Sequence, residues 1–555
     1  MHFQPCPPVD IPAVTRDWLR QHQVPLLLAA PLVRRGIHQP EDLSRLFFGR
    51  LSDATSCLCF GPPLAVAVER LRKAMVQGQR ILVFADYDCD GTTGAALILG
   101  ILRKLQPHYG FSLELMIPDR FTEGYGLNRH NLTRLLALRP DLVITVDCGI
   151  SSHEEVSRLK QCGIDCIVTD HHEPKGDLPL AAAAILHPRH CGYPFDGLSG
   201  CGVAYQLMKA LWTCQGKEVP DWVDHLSLDL VAIGAICDIM PLVGDNRLYV
   251  REGLKLIDEG KRMAFRLMKE HLRWKRLTSE VIAYQIGPRI NAAGRMSSAE
   301  VVVQWLLSEE KEECQRILRR LEEHNQQRRV EQERVLKEGW AQVASGSYRH
   351  LAVVQGEYHE GVVGIAASKF AQSLYRPAFV LSADEKRLKG SARSIHGIHL
   401  FELIQRHAQW LDSWGGHAMA AGLTLRPENA DSFFRSLDEE LAGLPQETWQ
   451  RVDHWEVAGE ENDLTPDLFR SLAALEPFGE KFPPVTWRLE GQFSGKSLSP
   501  EKKVGRLRIG QQEFPFAMWD HADQVEPGRK QVYYGCWEWS DYWQGWQFNA
   551  RWSEM

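Results

Sequence analysis

Asp86, Asp88 and Asp90 occupy alternate positions in the string Asp86-Tyr87-Asp88-Cys89-Asp90-Gly91. Carboxylates this close repel one another by about 1 kcal/mol per pair in water and roughly 4 kcal/mol at an effective dielectric near 20. A divalent cation is the usual offset, although D-x-D-G alone is equally the mark of a calcium-type loop or a simple turn. Further along, Asp147-Cys148-Gly149, Asp170-His171-His172-Glu173 and Asp238 each follow an apolar run. Four such clusters would rarely arise as separate satisfied turns. Carboxylates with one or two imidazoles suit Mn²⁺ or Mg²⁺ better than Zn²⁺. Two such ions in one site would serve phosphodiester hydrolysis.

The apolar runs are the elements that must carry these residues. Ile81–Phe84, Leu113–Ile117, Leu142–Val146, Cys166–Thr169 and Ala182–Leu186 each read as a buried strand, with helical stretches such as Gly94–Lys104 and Ser152–Gln161 between them. Alternation of this kind predicts a parallel sheet covered on both faces, and ligands of such sheets bind beyond the strand ends. An apolar helix, Leu228–Cys237, delivers Asp238 and is stopped at Pro241. Ser308–Gly339, dense in Glu, Gln and Arg, reads as a long solvated helix joining two domains. A second α/β unit follows, with strands Leu351–Gln355 and Ala378–Leu381 around a helix Val363–Leu374. Beyond about Gln446 the texture of Gly, Pro and aromatics predicts a small β-barrel.

At 555 residues the chain exceeds one core. Its longest early apolar stretch, Val24–Val33, is broken by Pro25 and Pro31, so no membrane span or leader is expected and the cytoplasm is the expected location. Thirteen cysteines without C-x-x-C pairs indicate neither a disulfide framework nor a zinc site. A formal charge of -7 argues against indiscriminate nucleic-acid binding; a DNA enzyme with this balance must gather its positive charge in a groove.

At these motifs the chain closely resembles the DHH phosphoesterase superfamily, whose triplet stands here as Asp170-His171-His172, and within it the RecJ single-strand-specific 5′→3′ exonucleases. The resemblance also rests on Glu123-Gly-Tyr-Gly-Leu127, Val146-Asp-Cys-Gly-Ile150, Leu228–Leu242, Gly287–Met296, His359-x-Gly361, Lys389–Ser394 and Gly415–Gly422. It runs from about residue 80 to 425, with a weaker match to an oligonucleotide-binding barrel through Pro477-Phe478-Gly479. It implies two Mn²⁺ or Mg²⁺ ions held by Asp88, Asp90, Asp147, His171 and Asp238, with Asp147 bridging. Asp86 and Asp170 would orient those ligands, and His172 would face the scissile phosphate. Arg120, Arg295, Ser391 and Arg393 would form a 5′-phosphate pocket, with Arg289 a further candidate. Ser391 and Arg393 read as part of a Gly-containing loop, and His417 as a substrate contact. Three departures stand out: His187 for the usual Asn before Pro188, Lys481-Phe482 for Gly-Asn, and Arg506–Ile509 for a His-Leu-Lys-Leu string.

The expected architecture is therefore α/β: an N-terminal appendage (1–60), a parallel-sheet DHH domain (61–245), a helical region and connecting helix (246–340), a DHH-associated α/β domain (341–446) and an OB-like barrel (447–555). The expected activity is 5′→3′ digestion of single-stranded DNA to 5′-mononucleotides in repair and recombination, by a monomer that works with a single-strand-binding protein or a helicase. The alternatives are a DHH hydrolase of short oligonucleotides or cyclic dinucleotides, and a non-catalytic DNA-binding scaffold. The latter typically loses the motif carboxylates, all of which are present here.

Overall fold

The computed structural model describes residues 2–384, 386–499, 502–519 and 522–554. The chain divides into two compact units. The larger comprises Phe3–Asn291, Ser298–Leu318 and His454–Met555; the smaller is built mainly from Ala292–Ser297 and Arg319–Asp453.

In the larger unit five parallel strands form one sheet: β1 (Arg80–Ala85), β2 (Ser112–Met116), β3 (Leu142–Val146), β4 (Asp165–Thr169) and β5 (Ala184–Leu186). Their order is β2-β1-β3-β4-β5. Strands β1, β3 and β4 are buried almost throughout because helices cover both faces. β2 departs from the expected buried strand: it lies at the sheet edge and leaves Ser112 and Glu114 in reach of solvent. The order reverses between β1 and β3, and at such a switch point the two outgoing chains diverge and open a crevice. Helix α1 (Cys89–Tyr109) leaves β1 directly, and α2 (Gly200–Thr213) and α3 (Asp221–Cys237) pack beside it.

The smaller unit carries a mixed sheet of β6 (Ala352–Gly356), β7 (Ala378–Ala383), β8 (Leu388–Arg393), β9 (Leu411–Gly416) and β10 (Ala420–Leu425), in the order β9-β10-β8-β7-β6. Two helices are divided between the units: α4 (Gly287–Met296) and α5 (Lys311–Ser345). Helix α5 is the long, charged helix expected, but part of it is buried. Cys314, Ile317, Leu321, Asn325 and Val335 are buried along one stripe, whereas Val330 faces solvent. Its charged residues are the outer face of an amphipathic helix. A further helix, α6 (Glu360–Leu374), packs on the smaller unit's sheet.

The C-terminal strands β11 (Thr486–Ser499), β12 (Lys502–Ile509), β13 (Gln512–Met518), β14 (Lys530–Ser540) and β15 (Gly545–Glu554) close into a barrel of order β11-β12-β13-β15-β14-β11. Five strands in a partly parallel closed barrel match the oligonucleotide-binding architecture. The first residues are no detached appendage. Trp18, Leu19, Leu28, Leu32 and Leu43 share one core with Trp487, Phe516 and Phe548 of the barrel. Arg247, on the helix Gly244–Glu259, holds the segment that leads into the barrel by donating to the carbonyls of Leu475, Glu476 and Pro477 at 2.8, 2.9 and 3.0 Å. Among the described residues no single helix is long and apolar enough to cross a membrane.

Candidate metal centre

The acidic clusters meet at the switch point. β1 ends at Ala85, and the chain turns through Asp86 and Tyr87 into α1. The Asp88 side chain caps that helix by accepting from the amides of Asp90 and Gly91 at 3.0 and 3.1 Å. Asp90, fully buried, accepts from the amides of Gly200 and Cys201 at 2.6 and 3.1 Å, where α2 begins. Asp147 follows β3 with φ of 60°, a left-handed conformation that costs an L-residue roughly 1–2 kcal/mol. Strain of this kind concentrates where a side chain must be aimed. Asp238 ends α3, at the negative pole of the helix, where a carboxylate gains from a neighbouring cation.

His171 lies at the centre. Its Nε2 is 3.1 Å from Asp147 Oδ1, 3.4 Å from Asp238 Oδ2 and 3.9 Å from Asp90 Oδ2. Potential ligand atoms gather within 4.8 Å of one another in three sets: Asp147 with His171 and His172, Asp90 with His171 and Asp238, and Asp86 with Asp88 and Asp147. The sets share Asp147 and His171, so they form one constellation. Asp86 Oδ1, Asp147 Oδ1 and His171 Nε2 are buried without a hydrogen-bond partner. Orphaned lone pairs facing one another fit a divalent cation, and the hard-oxygen donor set is of the kind that Mn²⁺ and Mg²⁺ take.

The electrostatics agree. Burial, and then the Asp88 charge, push Asp90 up to about 7. Burial, Asp90 and Asp88 push Asp238 up to about 8. Asp86 and Asp147 are raised by burial and by the neighbouring carboxylates. Burial and the His172 charge lower His171 to about 3, which leaves its imidazole neutral and able to ligate. For His172, burial opposes the charge, but the hydrogen bond to Asp170 at 2.8 Å and nearby carboxylates outweigh it and hold the ring near 9.

Both groups of shifts tie stability to pH with the same sign. The folded values of Asp90 and Asp238 lie above the usual carboxylate range, so ionising them costs stability progressively from about pH 4 to about pH 8. His172, raised above its usual value, adds stability below about pH 6.5 that is lost as pH passes its folded pKa. The metal-free protein should therefore weaken toward alkaline pH, and a bound cation should remove the carboxylate part of that loss. Thermal unfolding with and without Mn²⁺ should show a larger gain in Tm at about pH 8 than at about pH 5.5; the opposite order would contradict a cation among these carboxylates.

Asp170 is fully engaged: it accepts from the amides of Ile150, His171 and His172 as well as from the His172 ring. Despite burial, those bonds hold it below the usual carboxylate range. Asp86, expected to orient the ligands, leaves Oδ1 without a hydrogen bond and stands among the potential ligand atoms. His187 Nδ1 accepts from the His190 amide at 3.4 Å, so Nε2 carries the proton and donates to the His172 carbonyl at 2.9 Å. An Asn amide could make the same donation, which accounts for the exchange.

Sequence reasoning passed over the residues that make room. A Cβ on Gly200 would stand 2.5 Å from Asp147 Cβ, and one on Gly234 would stand 2.2 Å from Asp90 Oδ1. Tyr125, inside the Glu123–Leu127 motif, donates through its hydroxyl to the Asp147 carbonyl at 3.1 Å, and that hydroxyl lies 3.1 Å from His172 Nδ1. The signal for Gly200 was the Ser199-Gly-Cys-Gly202 string that opens α2.

The candidate phosphate residues fall into both units. In the larger, Arg120 lies over the Tyr87 ring at 5.0 Å and Arg289 donates to the Gln285 carbonyl at 2.7 Å. In the smaller, Ser391 and Arg393 sit on strand β8, not in a loop. Pairing to β7 on one side and β10 on the other overrides the weak strand propensity of Lys389-Gly-Ser-Ala-Arg. Two residues apart, they share a face, and Arg393 donates to Ser391 Oγ at 2.7 Å. Both lie 3.2 Å from where a Cβ of Gly364 would be, on the first turns of α6, and Arg295 donates to the Gly361 carbonyl at 3.0 Å. His417 is in the β9–β10 turn, its amide donating to the Ala420 carbonyl at 2.7 Å.

Residues 80–235 match the DHH family, N-terminal domain, and residues 347–443 match the DHHA1 domain. The single-stranded-DNA-specific exonuclease RecJ of Bacillus subtilis is 36% identical over 471 residues, covering 82% of this chain and 57% of that protein. Its namesake from Dickeya dadantii is 34% identical over 515 residues, covering 88% of this chain and 86% of the relative. The crystal structure of RecJ in complex with Mn²⁺ from Thermus thermophilus superposes with a TM-score of 0.82 at 28% identity, covering all of this chain and 79% of that one. With its fold, its two matched domains and its relatives in agreement, the chain belongs to the RecJ family.

Proposed function

We propose that this protein digests single-stranded DNA from a 5′ end, releasing 5′-mononucleotides in DNA repair and recombination. The observation that carries the reading is the constellation at the switch point, complete in its carboxylates and imidazole and joined within one unit to a closed oligonucleotide-binding barrel. That barrel favours a polymer over a short oligonucleotide or cyclic dinucleotide, and the intact carboxylates favour an enzyme over a scaffold. The proposal extends to a monomer in the cytoplasm, acting on strands opened by a helicase or coated by a single-strand-binding protein.

Asp88, Asp90, Asp147, His171 and Asp238 would hold two Mn²⁺ or Mg²⁺ ions, and Asp86 would join them. Such ions supply an activated water and neutralise charge on the departing oxygen. The protein's own part is positional. Asp170 fixes the His172 ring through Nδ1, and at neutral pH the charged ring can donate from Nε2 to a phosphate oxygen. Tyr125 braces the Asp147 backbone and the same ring. Outward-facing Trp519, Trp539 and Tyr542 could stack on bases, whereas Trp537 is interior.

Arg295, Ser391, Arg393 and the opening of α6 would form an anion site suited to a terminal phosphate, with His417 of the same unit a further candidate contact; Arg120 and Arg289, in the larger unit, are candidate phosphate contacts there. A terminal monoester carries close to two charges, and charge-assisted bonds contribute roughly 1.5–3 kcal/mol each. With Mn²⁺ present, a 5′-phosphorylated strand should be degraded about tenfold faster than its 5′-hydroxyl twin. Arg393→Ala should erase most of that preference and spare Mn²⁺ binding. Equal rates on the two strands, or a preference that survives the substitution, would remove the phosphate role.

A further inference from the structure

Helix α3 ends on a residue ill suited to its conformation. Asp238 caps the helix, and Ile239 follows with φ of 56°. The amides of Ile239 and Met240 donate to the carbonyls of Ile236 and Ala235 at 3.2 and 2.9 Å, so the chain leaves the helix through a left-handed turn. Such a turn takes glycine first and asparagine second. A β-branched side chain there is an outlier, because its Cβ crowds the following carbonyl. Of the eight described residues other than glycine with positive φ, Ile239 alone is β-branched. Packing does not account for it, since Ile239 is 71% exposed. Glycine would serve the fold better. Backbone strain that no burial offsets belongs with a side chain whose task lies outside the fold.

The surroundings supply that task. Side-chain exposure rises across the metal centre, from 0% at Asp90 and 2% at Asp147, through 9% at His171, to 30% at Asp238 and 38% at His172. The centre therefore opens to solvent on the side of Asp238 and His172, and a phosphate must enter there. Ile239 is on the rim of that opening, its Cα about 3.8 Å from that of Asp238. The part of a nucleotide nearest to a phosphate held in the centre is its sugar. C3′ and C5′ of that sugar carry the phosphate oxygens and C4′ adjoins the ring oxygen, which leaves the C2′ methylene as its apolar edge.

We propose that Ile239 is a specificity-determining contact: it lies against the C2′ methylene of the 5′-terminal deoxynucleotide and disfavours ribose at that place. A 2′-hydroxyl set against isoleucine loses water without gaining a partner, which lowers the rate roughly 10- to 100-fold. Because the contact is to the sugar, it is blind to base sequence. The inference rests on the proposed function, since it needs a nucleotide over the metal centre.

The test gives the full-length protein, with Mn²⁺, two 5′-phosphorylated strands of one sequence, one all-DNA and one with a single ribonucleotide at its 5′ end. The rate read is release of the first nucleotide. Wild type is expected to release the deoxynucleotide roughly 10- to 100-fold faster. Ile239→Gly should bring the two rates within about threefold of each other. It should also melt at or above the wild-type temperature, because glycine meets the turn without strain. Ile239→Asn tolerates the same backbone and offers an amide to the hydroxyl, so it should narrow the ratio too, whereas Ile239→Val should keep it. Equal rates in wild type, or a ratio that Ile239→Gly leaves unchanged, would overturn the inference and leave the proposed function standing. Melting of Ile239→Gly below wild type would assign the side chain to the fold and likewise overturn it. A wild type that degrades neither strand would overturn the proposed function, and the inference with it.

Discussion

Asp147→Asn should reduce kcat by on the order of 1000-fold or more, about 4 kcal/mol of transition-state stabilisation, while the metal-free protein melts at a higher temperature than wild type. Both halves follow from one position. Asn tolerates the left-handed backbone at 147 and keeps the side-chain shape. What it removes is a charge at the crossing of two ligand sets, buried and crowded by Asp90, Asp88, Asp238 and Asp86. Loss of repulsion stabilises the empty site; loss of the shared carboxylate disables the filled one. Single-turnover kinetics with thermal unfolding would check both. Retention of more than about a tenth of kcat, a loss below roughly 1.4 kcal/mol, would show that Asp147 does not hold the reacting assembly together.

Gly234→Ala carries the second large effect. In an open helix the exchange gains about 1 kcal/mol of helix propensity. Here the new methyl would stand 2.2 Å from Asp90 Oδ1 and 3.0 Å from Cys201 Cβ, so α3 must shift away from α1. Asp238 is carried on that helix four residues on. The expected outcome is a fall in kcat of about 100-fold with weaker Mn²⁺ binding, while far-ultraviolet circular dichroism keeps its helical signal. Unchanged kinetics would mean that the two helices do not set the spacing of Asp90 and Asp238.

The strands that deliver the carboxylates were legible because parallel strands buried on both faces are unbroken runs such as Leu142–Val146, and their ends declare themselves where an aspartate follows. Asp238 was legible for the same reason at a helix end. The glycines were not, because Gly200 and Gly234 matter through residues 53 and 144 positions away that no local pattern relates to them. The same blindness to distant pairing hid β8, whose Lys, Gly and Ser residues make a poor strand until two neighbours bond to it. It also hid the common core of Leu19 and Trp487, which makes the first helices part of the barrel's support. The stripe on α5 is a local pattern and could have been read from the spacing of Cys314, Ile317, Leu321 and Asn325.

The central claim is a metal-dependent attack on single-stranded DNA that begins at a 5′ end. Its most direct measurement uses one single strand prepared in two forms, blocked at its 5′ end or blocked at its 3′ end, with Mn²⁺ and with the products resolved by size. The expected result is degradation of the 3′-blocked strand to 5′-mononucleotides, survival of the 5′-blocked strand, and arrest of the reaction by chelation. Survival of the 3′-blocked strand with degradation of the 5′-blocked one would contradict it.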